Sequence, residues 1–136
     1  MKPFSLTLGD PGPACAEPAP EALRQAVAKF NAGDYFECHE VLEAYWLEET
    51  GPVRDLYKGV IQVAGGFFHW ENGNKAGCLK HLERAIVYLG RYAPRCQGLD
   101  VAALMVEAQA GLEWARDAEP DTAMPPELVP RMVLAD

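Results

Sequence analysis

His39, Glu43, Lys58, Gln62 and His69 lie within one short stretch of this chain. Imidazole, carboxylate, ammonium and carboxamide groups together can hold a divalent ion, move a proton, or satisfy one another in a buried network. His39 and Glu43 are four residues apart, so a helix stacks them one turn apart on one face, where they can share one ion or one proton. Phe36 and Trp46 bracket them on that stripe, and Tyr35, Cys38, Leu42 and Tyr45 form the adjacent apolar stripe. Lys58, Gln62 and His69 make a narrow polar strip on a second, otherwise apolar helix, lined by Gly59, Gly65 and Gly66. A glycine inside a helix costs about 1 kcal/mol against alanine, so glycines along a strip mark a place where a backbone or a ligand comes close.

If the strip faces the His39/Glu43 stripe, the five groups converge in one aromatic-walled space. One reading is a divalent metal site on His39, Glu43 and His69, or an acid–base site that also uses Lys58 and Gln62. The other is a structural hydrogen-bond network, with Glu43 accepting from His39 or Lys58, in a sealed space too small for a ligand. Spacing favours the second, because there is no HExxH, no Glu-x-x-His pair and no third carboxylate. No cofactor is predicted, and a divalent metal belongs only to the alternative. His81 clusters with Lys80 and Arg84 on its wheel and is expected on a solvated face, while Trp46, Trp70 and Trp114 are expected in the core. No Gly-rich phosphate loop or nucleophile elbow occurs.

The elements that must position these groups are helical. Residues 1–20 form a Pro-rich arm, with Pro11, Pro13, Pro18 and Pro20 keeping 9–20 extended. Leu23, Ala26, Val27 and Phe30 space a first helix from Glu21 to about Ala32, and Gly33 stops it. Asp34, with Glu37 as its capping-box partner, opens a second helix reaching about Glu49, broken by Thr50-Gly51-Pro52. A third spans about Val53 to Asn72 and is apolar nearly all round, the mark of a central helix. Asn74 caps a fourth reaching about Leu89, and Asp100 opens a fifth reaching about Ala118. The helical domain is thus 21–118, and 119–136 is an irregular tail whose Leu128, Val129, Met132 and Val133 can dock on the body. Gly33-Asp34, Cys38, Leu42 and Glu43 recur 40 residues later as Gly73-Asn74, Cys78, Leu82 and Glu83. Each copy is a helical hairpin. The expected architecture is all-α: a compact five-helix bundle of two hairpins plus a C-terminal helix, with the third helix central.

Composition bounds the function. At 136 residues with 49% hydrophobic residues, the chain is one ordinary globular domain. A net charge of −8, acidic in 1–50 and 99–136 but basic between, argues against nucleic-acid duplexes and anionic membranes. No stretch reaches the length of a membrane span, and no secretory signal precedes Gly9-Asp10-Pro11. Cys15, Cys38, Cys78 and Cys96 contain no CxxC, which removes metal-finger and redox motifs, and a reducing cytoplasm is the default.

Phe36-Glu37-Cys38-His39-Glu40-Val41-Leu42-Glu43-Ala44-Tyr45-Trp46 resembles the aromatic-x-x-His-Glu-x-x-Glu-x-x-Trp signature of the domain-of-unknown-function family numbered 309. Lys58 to Ala64, then His69 and Gly73-Asn74, resemble its second block. The likeness covers about residues 25–90, with His39, Glu40, Glu43, Trp46, Gln62 and His69 on the motif. It implies a small all-helical prokaryotic domain without an established activity. The expected role is a non-enzymatic interaction or structural module, a homo-oligomer or a partner of another protein. The alternative is a small metal-dependent or acid–base enzyme.

Overall fold

The computed structural model describes residues 12–135. The arm over 1–11 and Asp136 lie outside them. The helices are α1 (Gly12–Cys15), α2 (Glu21–Asn31), α3 (Tyr35–Glu48), α4 (Arg54–Glu71), α5 (Lys75–Gly90) and α6 (Val101–Asp117), with one 3-10 turn at Pro126–Leu128. The all-α expectation holds: five principal helices fall within a few residues of where periodicity and turn chemistry place them. Residues 12–15 depart from the extended arm by making one helical turn.

The two hairpin turns are built alike. Gly33 and Gly73 adopt φ of +86° and +74°, where a side chain would be strained. The amides of Asp34 and Asn74 then bond back to the carbonyls of Lys29 and His69 at 2.9 and 2.8 Å. Asn74 completes its cap, its Oδ1 accepting from the Gly77 amide at 2.9 Å. Asp34 makes no such side-chain bond, and Glu37 takes Lys29 at 3.5 Å rather than closing a capping box.

α4 is the central helix, packed between α3 and α5, with α2 on α3 and α6 on α5. Leu56, Val60, Val63, Ala64 and Phe67 form its core face. Its glycines act mainly on α5. A Cβ at Gly59 would meet Leu89 Cγ at 2.8 Å, and one at Gly66 would meet Leu82 Cγ at 2.8 Å. Those two glycines let α5 leucines seat against the α4 backbone. Of the three tryptophans, Trp70 is buried, whereas Trp46 and Trp114 are half-buried at the edge of the core.

The segment after α5 forms a short antiparallel pair, β1 (Arg95–Cys96) and β2 (Leu99–Asp100), joined by Gln97 and Gly98, both at positive φ. Two consecutive left-handed residues are what a two-residue hairpin needs to match strand twist. Cys96 is disulfide-bonded to Cys15, a pairing 81 residues apart that Cys spacing does not disclose. Gln97 Oε1 accepts from buried Tyr57 Oη at 2.8 Å. The tail docks on the same hairpin, with Leu134 bridging Leu99 and the Ala135 amide donating to Gly98 O at 2.8 Å. Asn31 exchanges two side-chain bonds with the Met132 backbone, each 2.9 Å. Met132 is buried and Val133 exposed, so one of these two candidate docking residues seats. No helix among the described residues is long and apolar enough to cross a membrane.

Candidate functional site

All five candidates meet. His39 and Glu43 from α3, and Lys58, Gln62 and His69 from α4, line one pocket of about 260 Å³, joined by His81 from α5. Tyr35, Phe36 and Phe68 supply its aromatic wall. The space is not the sealed network expected from the sequence. The side chains of His39 and Glu43 retain 33% and 40% of their exposure and stand 3.5 Å apart at its rim.

Beyond the His39–Glu43 pair, these polar groups do not hydrogen-bond one another. Gln62 is 6% exposed, and its Oε1 is buried without a hydrogen-bond partner. Lys58 leans its ammonium over the Trp46 ring at 4.3 Å, and Arg54 lies over the same ring at 4.1 Å. Trp46 therefore holds Lys58 at the lip without lining the pocket. Burial lowers the Lys58 pKa from its ordinary value, and Glu43 opposes that shift. Glu40 is exposed and does not line the pocket.

His81 corrects the expectation of a solvated face. Its ring fits against α4 because residue 65 is glycine: a Cβ there would stand 2.6 Å from His81 Cδ2. Gly65 is thus the one member of the glycine strip that serves the pocket. His81 Nδ1 lies 2.8 Å from the Gly77 carbonyl, which can only accept, so the proton sits on Nδ1 and the neutral ring presents a lone pair at Nε2. Burial lowers the His81 pKa, and the neighbouring His69, Arg84 and Lys58 push the same way, against the Gly77 bond.

His69 has the opposite polarity. Asn74 Oδ1 is committed to the Gly77 amide, which leaves Asn74 Nδ2 to donate to His69 Nδ1 at 3.2 Å. In its neutral form His69 therefore carries its proton on Nε2. The two rings lie 4.6 Å apart, one offering a donor and the other an acceptor. Gly77 orients both through its backbone, and a Cβ there would come within 2.6 Å of Asn74 Nδ2. The only sequence signal for this arrangement was the Asn74-x-x-Gly77 cap.

Among the described residues no three His, Cys, Asp or Glu side chains are grouped to hold a metal ion, so the His39/Glu43/His69 metal reading gains no geometric support. Cys38 and Cys78 are buried thiols, pushed up by burial to about 12 and about 11, and sit in the core as apolar fillers. A larger cavity of about 590 Å³ lies between Tyr35, Phe67, Trp70 and the tail, and contains none of the five candidates.

Residues 23–81 match the family described as a domain of unknown function, DUF309. The resemblance drawn from the His39 and Lys58 blocks is therefore shown, and the matched segment holds every residue of the pocket. The chain is 39% identical over 69 residues to the uncharacterized protein YpuF of Bacillus subtilis (strain 168), covering 49% of this chain and 40% of that protein. It is 26% identical over 109 residues to an uncharacterized protein of Aquifex aeolicus (strain VF5), covering 79% of this chain and 31% of that protein. The chain thus spans less than half the length of these relatives. No solved structure matches it significantly. Neither the family nor these relatives has an established function.

Proposed function

We propose that the DUF309 segment is a non-enzymatic helical interaction module whose α3–α4–α5 pocket recognises a small polar ligand. The observation that carries this reading is Gln62 Oε1, a buried acceptor without a donor on the wall of a 260 Å³ space. An unpaired buried polar group costs about 1–3 kcal/mol, and a ligand donor would remove that cost. Exposed Leu47, Val87 and Val106 supply apolar surface for a second copy or a protein partner. The cytoplasm is the proposed location, where Cys15 and Cys96 would stand as thiols unless an oxidant closes them.

The test is nuclear magnetic resonance of the three histidine rings, all of which line the pocket, against a library of small polar compounds. Compounds that shift His39, His69 and His81 together support recognition, and a library that leaves all three unmoved overturns it. Light scattering tests the module reading, which predicts a species heavier than the 14.9 kDa chain.

One observation favours acid–base chemistry as a second reading: the fixed donor–acceptor polarity of His69 and His81. Turnover of a bound compound, lost in His81→Gln with binding retained, would establish it over the first.

A further inference from the structure

The donors, acceptors and charges around this pocket restrict what it can hold. Two side chains that line it carry acceptors without a protein donor: Gln62, whose Oε1 is buried, and His81, whose Nε2 keeps the lone pair that the Gly77 bond leaves free. An occupant made only of acceptors leaves both unpaired. Two further lining side chains can donate, Lys58 through its ammonium and His69 through Nε2–H. Lys58 and Glu43 are the cation and the carboxylate that line it, and Arg54, which shares the Trp46 ring with Lys58, adds a second cation beside them. His39, from α3, is already turned to Glu43.

We propose that the pocket takes a small organic monoanion, a carboxylate with a hydroxyl or amide N–H on the neighbouring carbon. This rests on the recognition reading above. The carboxylate lies towards Lys58 and His69 Nε2–H, and the adjacent O–H or N–H donates to Gln62 Oε1. The phosphoryl group of a monoester dianion fits less well, because it brings two negative charges and no donor. A neutral polyol supplies donors but leaves the surplus positive charge unanswered. Tyr35, Phe36 and Phe68 lie against the carbon skeleton and exclude water, which strengthens both polar contacts.

Three probes of similar size separate the requirements: L-lactate has the anion and the donor, propionate lacks the donor, and lactamide lacks the charge. Titrations are followed on the ring protons of His39, His69 and His81, with thermal melts confirming that each variant is folded. Lactate is expected to bind about tenfold tighter than either of the others, since each missing contact involves a charged or otherwise unpaired group. In Gln62→Leu the lactate-over-propionate preference should fall towards one. In Lys58→Gln the lactate-over-lactamide preference should do so. If lactamide matches lactate, the anion assignment is overturned while the pocket reading stands. If propionate matches lactate, the donor requirement is overturned in the same way. If none of the three moves any of the histidines, this proposal fails, and the library screen above decides separately whether recognition fails with it.

Discussion

Replacing Gln62 by leucine should make the protein more stable, against the usual run of buried substitutions. Gln62 is 6% exposed on the central helix, and its deep oxygen has no donor. Leucine removes that unpaired acceptor, which relieves about 1–3 kcal/mol. It also keeps an apolar stem of similar width, and the two residues have nearly equal helix propensity. Against this stands the packing lost with the end of the carboxamide, a fraction of a kcal/mol because that end borders a cavity. The net expectation is a gain of about 1–2 kcal/mol. An unfolding entropy of about 2.1 cal/mol/K per residue makes this a rise in Tm of about 3–7 °C for 136 residues. Ile61 is the control, one residue away, on the same pocket wall and 3% exposed. Ile61→Ala should cost about 2–5 kcal/mol. Urea unfolding of both variants, with m-values checked for constancy, gives the two signs. A loss of 1 kcal/mol or more in Gln62→Leu would refute the reasoning, because it would mean that the carboxamide is a satisfied member of a structural network.

Three further outcomes follow from the geometry. His81 has a folded-state pKa below its unfolded value, so the unfolded chain binds its proton more readily; stability should fall as pH drops below about 6.5, and His81→Gln should flatten that part of a Tm-against-pH curve. Gly65→Ala should leave stability within about 1 kcal/mol, as the helix propensity gained offsets the His81–Gly77 bond lost. Because its Cβ would stand 2.6 Å from the imidazole, it should also shift the His81 ring resonances even without ligand. Opening the Cys15–Cys96 bond, which spans 81 residues, should cost up to about 4.5 kcal/mol through chain entropy, measured as the difference between guanidinium unfolding with and without reductant.

The candidate site was legible where one helix carries the information. Four-residue spacing puts His39 under Glu43, and Lys58, Gln62 and His69 stand out because the rest of α4 is apolar. Their convergence then needed only that α3 and α4 pack side by side, which the Gly51-Pro52 break between them encourages. His81 was not legible in the same way. Its own wheel places it among Lys80 and Arg84, and what turns it inward is a notch at Gly65 on a different helix. Similarly, the glycine strip announced a close approach but not what approaches: two α5 leucines at Gly59 and Gly66, and an imidazole at Gly65. Whether the pocket is sealed depends on volumes summed over three helices, which no periodicity encodes. The Cys15–Cys96 pairing depends on a two-residue hairpin that brings residue 96 to the far end of the chain.

That bond has a topological consequence. While it is closed, residues 15–96 form a covalent ring that contains α2 to α5 and every pocket residue, whereas α6 and the tail hang outside it. A single protease cut in the connection between α3 and α4 would leave the mass of the unreduced protein unchanged apart from one water. A cut between α6 and the tail would instead release a peptide once the protein is unfolded, with or without reductant. The helices that build the pocket are tied into a loop that one nick cannot take apart, and the closing segments that cover the bundle are not.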